Sequence, residues 1–422
     1  MKKTEKLFEF IKSSKTVYHT VDTVKKALLE NGYTEISEKD STSFKDGKGH
    51  FVIRDSSLIA FCTGESADSF MITATHADTP TFKVKGTVSG VQGARLAVEA
   101  YGGAIYYSWL DRPLSIAGRA AVKSDRGVQM RLVDFDLDLA VIPSVPIHFN
   151  RTVNDGVKLN VAVDMLPLIS CGDCASLNSM IAENLSVSDS DVISHDLYLY
   201  LREEPRRVGV GGDLILSPRI DDLSCVYASL EAFLSAKPSC VNVLAVFNNE
   251  EVGSHTKQGA GSTFLRDTLI KIAGTEEKYM QMIGESFLAS ADNAHAVHPS
   301  HPELSDKENA PRLGGGVVVK YNANQRYTTD ACSDAVFRTL CKRANVPVQS
   351  YTNRADIVGG STLGNIVISS VSVSAVDIGL PQLAMHSSCE CVSAEDVEYM
   401  TCVLTKLYSS RLECNGSNID II

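Results

Sequence analysis

The sequence predicts an α/β fold: a mixed, mostly parallel sheet flanked by helices, interrupted by a β-rich insertion. Three observations predict it. Strand-length apolar runs alternate with helix-length amphipathic stretches over most of the chain, as in a sheet covered on both faces. Between residues 86 and 215 that alternation gives way to glycine pairs, period-two segments such as 128–133, and prolines at 113, 143 and 146. The chain has 422 residues, 44% of them hydrophobic, which is enough for more than one core. The expected division is therefore 1–85 with 216–422 as one domain and 86–215 inserted as a second.

The elements follow in order. Residues 1–33 read as helices, because Val21, Val24, Ala27 and Leu28 recur at helical spacing and Gly32 can close the last turn. Strands are expected at 50–53, 57–62 and 70–75. After the insertion come a helix at 223–236, a strand at 241–247 and a helix at 260–272. Strands at 287–291 and 316–320, a helix at 331–344, and a strand over 366–378 follow. A final helix starts after Ser393, where Ser393 and Asp396 have capping-box spacing with Asp in place of Glu.

Charge and cysteine usage narrow the function. The net charge is 40 − 51 = −11, with a sequence pI of about 5.4. An acidic surface speaks against broad nucleic-acid or anionic-membrane binding, which needs basic patches. Apolar runs stop short of the roughly 18 residues a membrane span requires. The start, MKKTEKLFEFIKSSK, has no apolar signal core or cleavage site, so a cytoplasmic location is expected. The 11 cysteines form no framework and read as reduced, mostly buried thiols. Cys171 and Cys174 make a lone CxxC, read as two ordinary thiols beside a turn, since a structural zinc takes four ligands.

Several apolar runs end in metal-ligand residue types. The run at 70–75 leads into His76 and Asp78, that at 241–247 into Glu250 and Glu251, and that at 287–291 into Asp292. The 366–378 run leads through a loop to His386, and Asp221-Asp222 precedes a helix. Each has an ordinary reading: a hydrogen-bonded histidine, a solvated Glu pair, an N-cap followed by a first-turn acid. Together they differ, because parallel neighbours would bring their ends to one crevice beyond the carboxyl edge of the sheet. Carboxylates crowded there need protons or cations. Histidine and carboxylate without cysteine suit zinc, cobalt or manganese. The candidates are too many for one tetrahedral ion and enough for two, an arrangement that aminopeptidases use.

The segments HADTP, YGGAIYYSWLDRPLSIAGR, PIHFNR, RIDDLSC, NNEEVGS, SADNAHAVHP, KYNANQRY, NRADIVGGSTLG and MHSSCE resemble, in order, the motifs of the aspartyl aminopeptidase family of two-metal exopeptidases. The resemblance spans nearly the whole chain. It implies a zinc-exopeptidase-like catalytic domain, an inserted dimerisation domain and a tetrahedral homododecamer. It also implies two divalent ions per subunit, zinc with manganese or cobalt as alternatives, and peptide substrates with a free N-terminus, Asp or Glu preferred. It assigns His76 and Asp292 to one ion, Glu251 and His386 to the other, and Asp221 as the bridge. Asp78 would orient His76, and Glu250 would be the general base. His148 would reach a neighbouring subunit's site, and Lys320 would face the acidic substrate side chain. Asp222 stands where the family commonly has Asn and is read as a non-ligand. Cys389 stands where the family often has Arg, and HADTP keeps the His and Asp of the commoner His-Thr-Asp-Ser-Pro. A broader aminopeptidase or an amide deacylase would use the same residues. A silent self-assembling scaffold would be expected to have lost a ligand or the base, and none is missing.

Overall fold

The computed structural model describes residues 3–40 and 48–422. The long apolar runs form a nine-stranded mixed sheet. At its centre Val241–Phe247, Phe70–His76, Phe287–Ala291 and Ser374–Gly379 lie side by side and parallel. Val317–Tyr321 continues the sheet antiparallel to Ser374–Gly379 and parallel to Val348–Thr352. On the other side Ser57–Thr63 and Gly49–Arg54 add antiparallel strands, and Thr34–Ile36 ends the sheet.

Alternation sorts the strand side chains onto two cores. Leu244 and Val246 pack with helices Lys3–Ser13, Val17–Glu30, Ile220–Ser235, Ala331–Ala344 and Ala394–Tyr408. Val243, Ala245 and Phe247 face Phe264–Ala273, Glu276–Ile283 and Leu363–Ser370. Leu58 and Ala60 join the first core, and Ile59 and Phe61 the second. Among the described residues no helix is long and apolar enough to cross a membrane.

A six-stranded antiparallel sheet takes strands between Thr81 and Leu201, with helix Leu177–Leu185 packed into its own core. A five-stranded sheet joins Leu214–Ser217 to Glu390–Ser393 and so links the start of the 220–235 helix to the loop after His386.

Three expectations need correction. The 366–378 run is a helix, Leu363–Ser370, followed by the strand Ser374–Gly379. Leu363, Val367 and Val371 are buried at four-residue spacing, so the apolar run served a helix face first. The Ser393–Asp396 box does not form. Ser393 Oγ accepts from the Glu395 amide, and the Asp396 carboxylate instead accepts the Gly314 and Gly316 amides at 2.7 and 2.8 Å. A capping box does occur at Asp330 and Ser333. The cysteines are all free, but only Cys62, Cys225, Cys240 and Cys341 are buried. Cys171 and Cys174 are exposed, and Cys332 and Cys402 lie on solvent-facing positions of helices, where a small side chain needs no burial.

Candidate metal and catalytic centre

His76 ends its strand and is paired across to Phe247, two residues before Asn249 turns the chain in the left-handed region (φ 66°). That turn starts the short 3-10 segment Glu250–Val252, so the two glutamates leave the sheet at its carboxyl edge beside His76. Asp292 follows Phe287–Ala291, and its amide donates to Ile378 O at 3.0 Å. Asp221 sits at the first turn of its helix with non-helical backbone angles, and the peptide that joins it to Asp222 is cis. His386 arrives on a loop with φ 66°.

Each imidazole is fixed by its second nitrogen. His76 Nδ1 donates to Asp78 O at 3.0 Å, and His386 Nδ1 to Gly103 O at 3.1 Å. Both Nε2 atoms are thereby left for ligation. They face different oxygens of one carboxylate: His76 Nε2 is 3.5 Å from Asp221 Oδ1, and His386 Nε2 is 3.4 Å from Asp221 Oδ2. Asp292 Oδ1 lies 3.9 Å from His76 Nε2, and Glu251 Oε2 lies 3.6 Å from His386 Nε2.

These residues fit divalent ions. The separations exceed ordinary hydrogen bonds, and they approach the roughly 3.3 Å between two ligand atoms on a tetrahedral zinc with 2.0–2.1 Å bonds. Asp221 Oδ1, Asp222 Oδ1 and Glu251 Oε1 are buried without a hydrogen-bond donor. Among the described residues three sets of side chains could hold a metal: His76 with Asp221, Asp222 and Asp292; His76 with Glu250 and Glu251; and Asp221 with Glu251 and His386. Asp222 is fully buried, and its Oδ2 accepts the His76 amide at 3.4 Å.

Electrostatics point the same way. Burial pushes Glu250 up to about 8, helped by the charges of Asp292, Asp78 and Asp221 and opposed by His76. Burial and the Asp221 charge raise Glu251 well above the carboxylate range, and burial likewise raises Asp222. Burial works against the His76 imidazolium, but Asp221 and Asp292 hold it well above its usual range. The protein alone therefore balances this centre with protons, which divalent cations would displace.

Asp78 does more than was expected of it. Its carboxylate lies 3.7 Å from His76 Nδ1, which donates to the Asp78 carbonyl instead. The two carboxylate oxygens accept the Glu250 and Glu251 amides at 3.1 and 3.2 Å, and Tyr101 Oη donates to Oδ2 at 2.7 Å. The segment Tyr101-Gly102-Gly103 comes from the second sheet and closes over the centre. Gly102 has φ 69°, and a Cβ there would lie 3.1 Å from Glu251 Cβ.

The structure brings His76, Asp78, Asp221, Glu250, Glu251, Asp292 and His386 together. Lys320 lines the adjoining cavity of about 120 Å³, with His295, Tyr327, Tyr351, Thr362 and Met385. Its ammonium donates to Asp292 O at 2.7 Å and Asn293 O at 3.2 Å, and lies 3.6 Å from Asp292 Oδ2. Burial opposes this charge, yet the Asp292 carboxylate raises the ammonium above its usual range. His148 does not line the cavity; it sits in an exposed turn. Cys389 packs against the core of the second sheet, and burial raises its thiol to about 11. The sequence reading gave no role to Glu390, whose contacts are backbone amides and which no ligand-like spacing marks.

Comparisons with known proteins place the chain in a family. The model of the family described as Aminopeptidase I zinc metalloprotease (M18) matches residues 10–408. A probable M18 family aminopeptidase 2 from Clostridium novyi (strain NT) is 38% identical over 97% of this chain and 99% of its own length. A chain from a structure of the Ape4 and Nbr1 complex superposes with a TM-score of 0.93 at 31% identity, covering 96% of this chain and 85% of the other. A chain of the S. cerevisiae mApe1 dodecamer shares the fold, with a TM-score of 0.83 at 24% identity over 96% and 95% of the two chains.

Proposed function

The chain belongs to the M18 family of zinc metallo-aminopeptidases, and from that premise we propose that it removes N-terminal residues from peptides with two divalent ions, favouring Asp and Glu. One observation carries the two-ion reading: the oxygens of Asp221 face two imidazoles separately, and each imidazole has its own further carboxylate. His76, Asp221 and Asp292 would hold one ion, and His386, Asp221 and Glu251 the other. Zinc fits the donor set, and manganese or cobalt fits it as well. Bound there, such ions supply a water of lowered pKa and polarise the scissile carbonyl.

The chain's own residues do the rest. Asp78 fixes the backbone of both glutamates, so their side chains can take separate tasks. Glu251 faces His386 as a ligand. Glu250 accepts a proton from the attacking water and returns it to the departing amine. Lys320, a buried cation on the cavity wall, supports recognition of an acidic first side chain.

Residues 86–215 are read as an oligomerisation domain of a tetrahedral dodecamer. Val145, Ile147, Phe149 and Val163 are exposed around His148, which suits a turn that inserts into a neighbouring subunit's site. The test is a panel of aminoacyl substrates with acidic, apolar and basic N-termini, run after chelation and re-addition of zinc, manganese or cobalt. Cleavage restored by metal and fastest for Asp and Glu is expected, with Lys320→Ala erasing the Asp-over-Leu preference while slow cleavage persists. Equal rates on all termini in the unmodified enzyme would remove the acidic preference.

A further inference from the structure

Glu390 opens the strand Glu390–Ser393 at the point where two ligand-bearing segments meet. Ser217, at the end of the paired strand, lies opposite it, and the chain runs on from there to Asp221. His386 precedes it by four residues. Its side chain is 2% exposed. Oε2 accepts the Asp221 amide at 3.0 Å, and Oε1 accepts the His386 amide at 2.7 Å.

Neither amide has a partner in regular structure. Asp221 stands at a helix start, where amides are orphaned, and His386 is in a left-handed loop conformation. One carboxylate satisfies both and so sets the distance between the bridging ligand and the second imidazole. Asp78 does the same for the amides of Glu250 and Glu251. The first ion's other ligands need no such clamp. His76 ends a strand paired on both sides, and the Asp292 amide is held by Ile378 O.

We infer that Glu390 is a positioning residue for the second metal site, tying Asp221 and His386 into one rigid half-shell. This rests on the two-ion reading. A glutamine here cannot replace it, because its amide group can accept only through oxygen and would leave one backbone N–H unpaired in a buried place.

The test is metal binding by the full-length protein. Stripped wild type and Glu390→Gln are titrated with cobalt and with zinc by calorimetry and visible absorption, with metal content measured after gel filtration. Wild type is expected to bind two ions per chain. In E390Q the ion held by His386 is expected to bind about 10–100-fold more weakly, as for lost outer partners of metal ligands, and the ion held by His76 and Asp292, which shares only Asp221, to lose clearly less. Glu390→Asp, which keeps a carboxylate on a shorter arm, weakens the same ion by less and serves if E390Q does not assemble. Glu395→Gln, an exposed acid five residues on at the start of the final helix, changes neither ion. Two ions bound by E390Q as in wild type, or both weakened alike, overturns the inference and leaves the two-ion reading standing. Fewer than two ions in wild type overturns both.

Discussion

Two regions of this molecule are rich in acids and treat them in opposite ways. Along the six-stranded sheet, acids meet bases. Arg119 contacts both Asp55 and Asp196, Lys257 takes the other Asp55 oxygen, and Lys83 takes Asp196. Burial pushes these two aspartates up, but Lys83, Lys257 and Arg119 more than offset it, so both titrate below the usual range. At the carboxyl edge of the nine-stranded sheet, the acids outnumber the bases. Glu250, Glu251, Asp222 and Glu390 are all raised, burial being the first cause in each. The residue types match, and the missing counter-charge separates the regions. A region that supplies its own cations is structural, whereas one that leaves carboxylate oxygens unpartnered is built for cations from solution.

The sharpest way to break this contrast is Glu250→Gln. We expect kcat to fall on the order of 10²–10⁴-fold, with metal content and assembly unchanged. Near-wild-type turnover would deprive Glu250 of its special place.

Next is metal removal. With free zinc at 100 times its dissociation constant, each ion adds about 2.7 kcal/mol to stability, so chelation should lower Tm and zinc should restore it. The pH response should also separate the regions. Glu250 and Glu390, both raised to about 8, are protonated in the metal-free fold where the unfolded chain would be ionised. Stability from that source is complete below about 4.5 and is lost as pH rises through 8. The chelated protein should therefore gain Tm on acidification from pH 8 to 5. Asp55 and Asp196 have lowered values, so their contribution is present above about 3.9 and lost only as pH falls further. A metal-free Tm that falls steadily from pH 8 to 5 would contradict the assignment.

A smaller effect is expected from Arg119→Met, which breaks two partly exposed pairs. It should cost about 1–2 kcal/mol in denaturant unfolding and leave metal content intact. The smallest comes from replacing Cys171 and Cys174 together by serine: within about 0.5 kcal/mol, with no loss of metal.

Much of this was legible in the sequence because the relevant signals are long or local. The runs at 70–75, 241–247 and 287–291 are strand-length and unbroken, and the ligand types stand at their ends. The helix at 363–370 was hidden because its Leu-Gly-Asn-Ile-Val-Ile stretch is as apolar as a strand and runs on toward one. Glu390 and the clamp made by Asp78 were hidden for another reason. They act on backbone amides brought from distant segments, and no residue pattern marks which amide a carboxylate will meet. The Lys320 contacts with two backbone carbonyls were equally out of reach, since only the folded loop at 292–293 presents them.

The Tyr101-Gly102-Gly103 segment limits what can be engineered. It belongs to the six-stranded sheet, yet it supplies the carbonyl that orients His386, the phenol on Asp78 and the side-chain-free surface against Glu251. The inserted sheet is thus not an interchangeable cassette. A chimera that takes this sheet from a distant source inherits a metal centre only if the end of its strand opposite Thr81 runs into the same tyrosine and glycines. A deletion that spares every ligand would still dismantle the half of the centre built around His386.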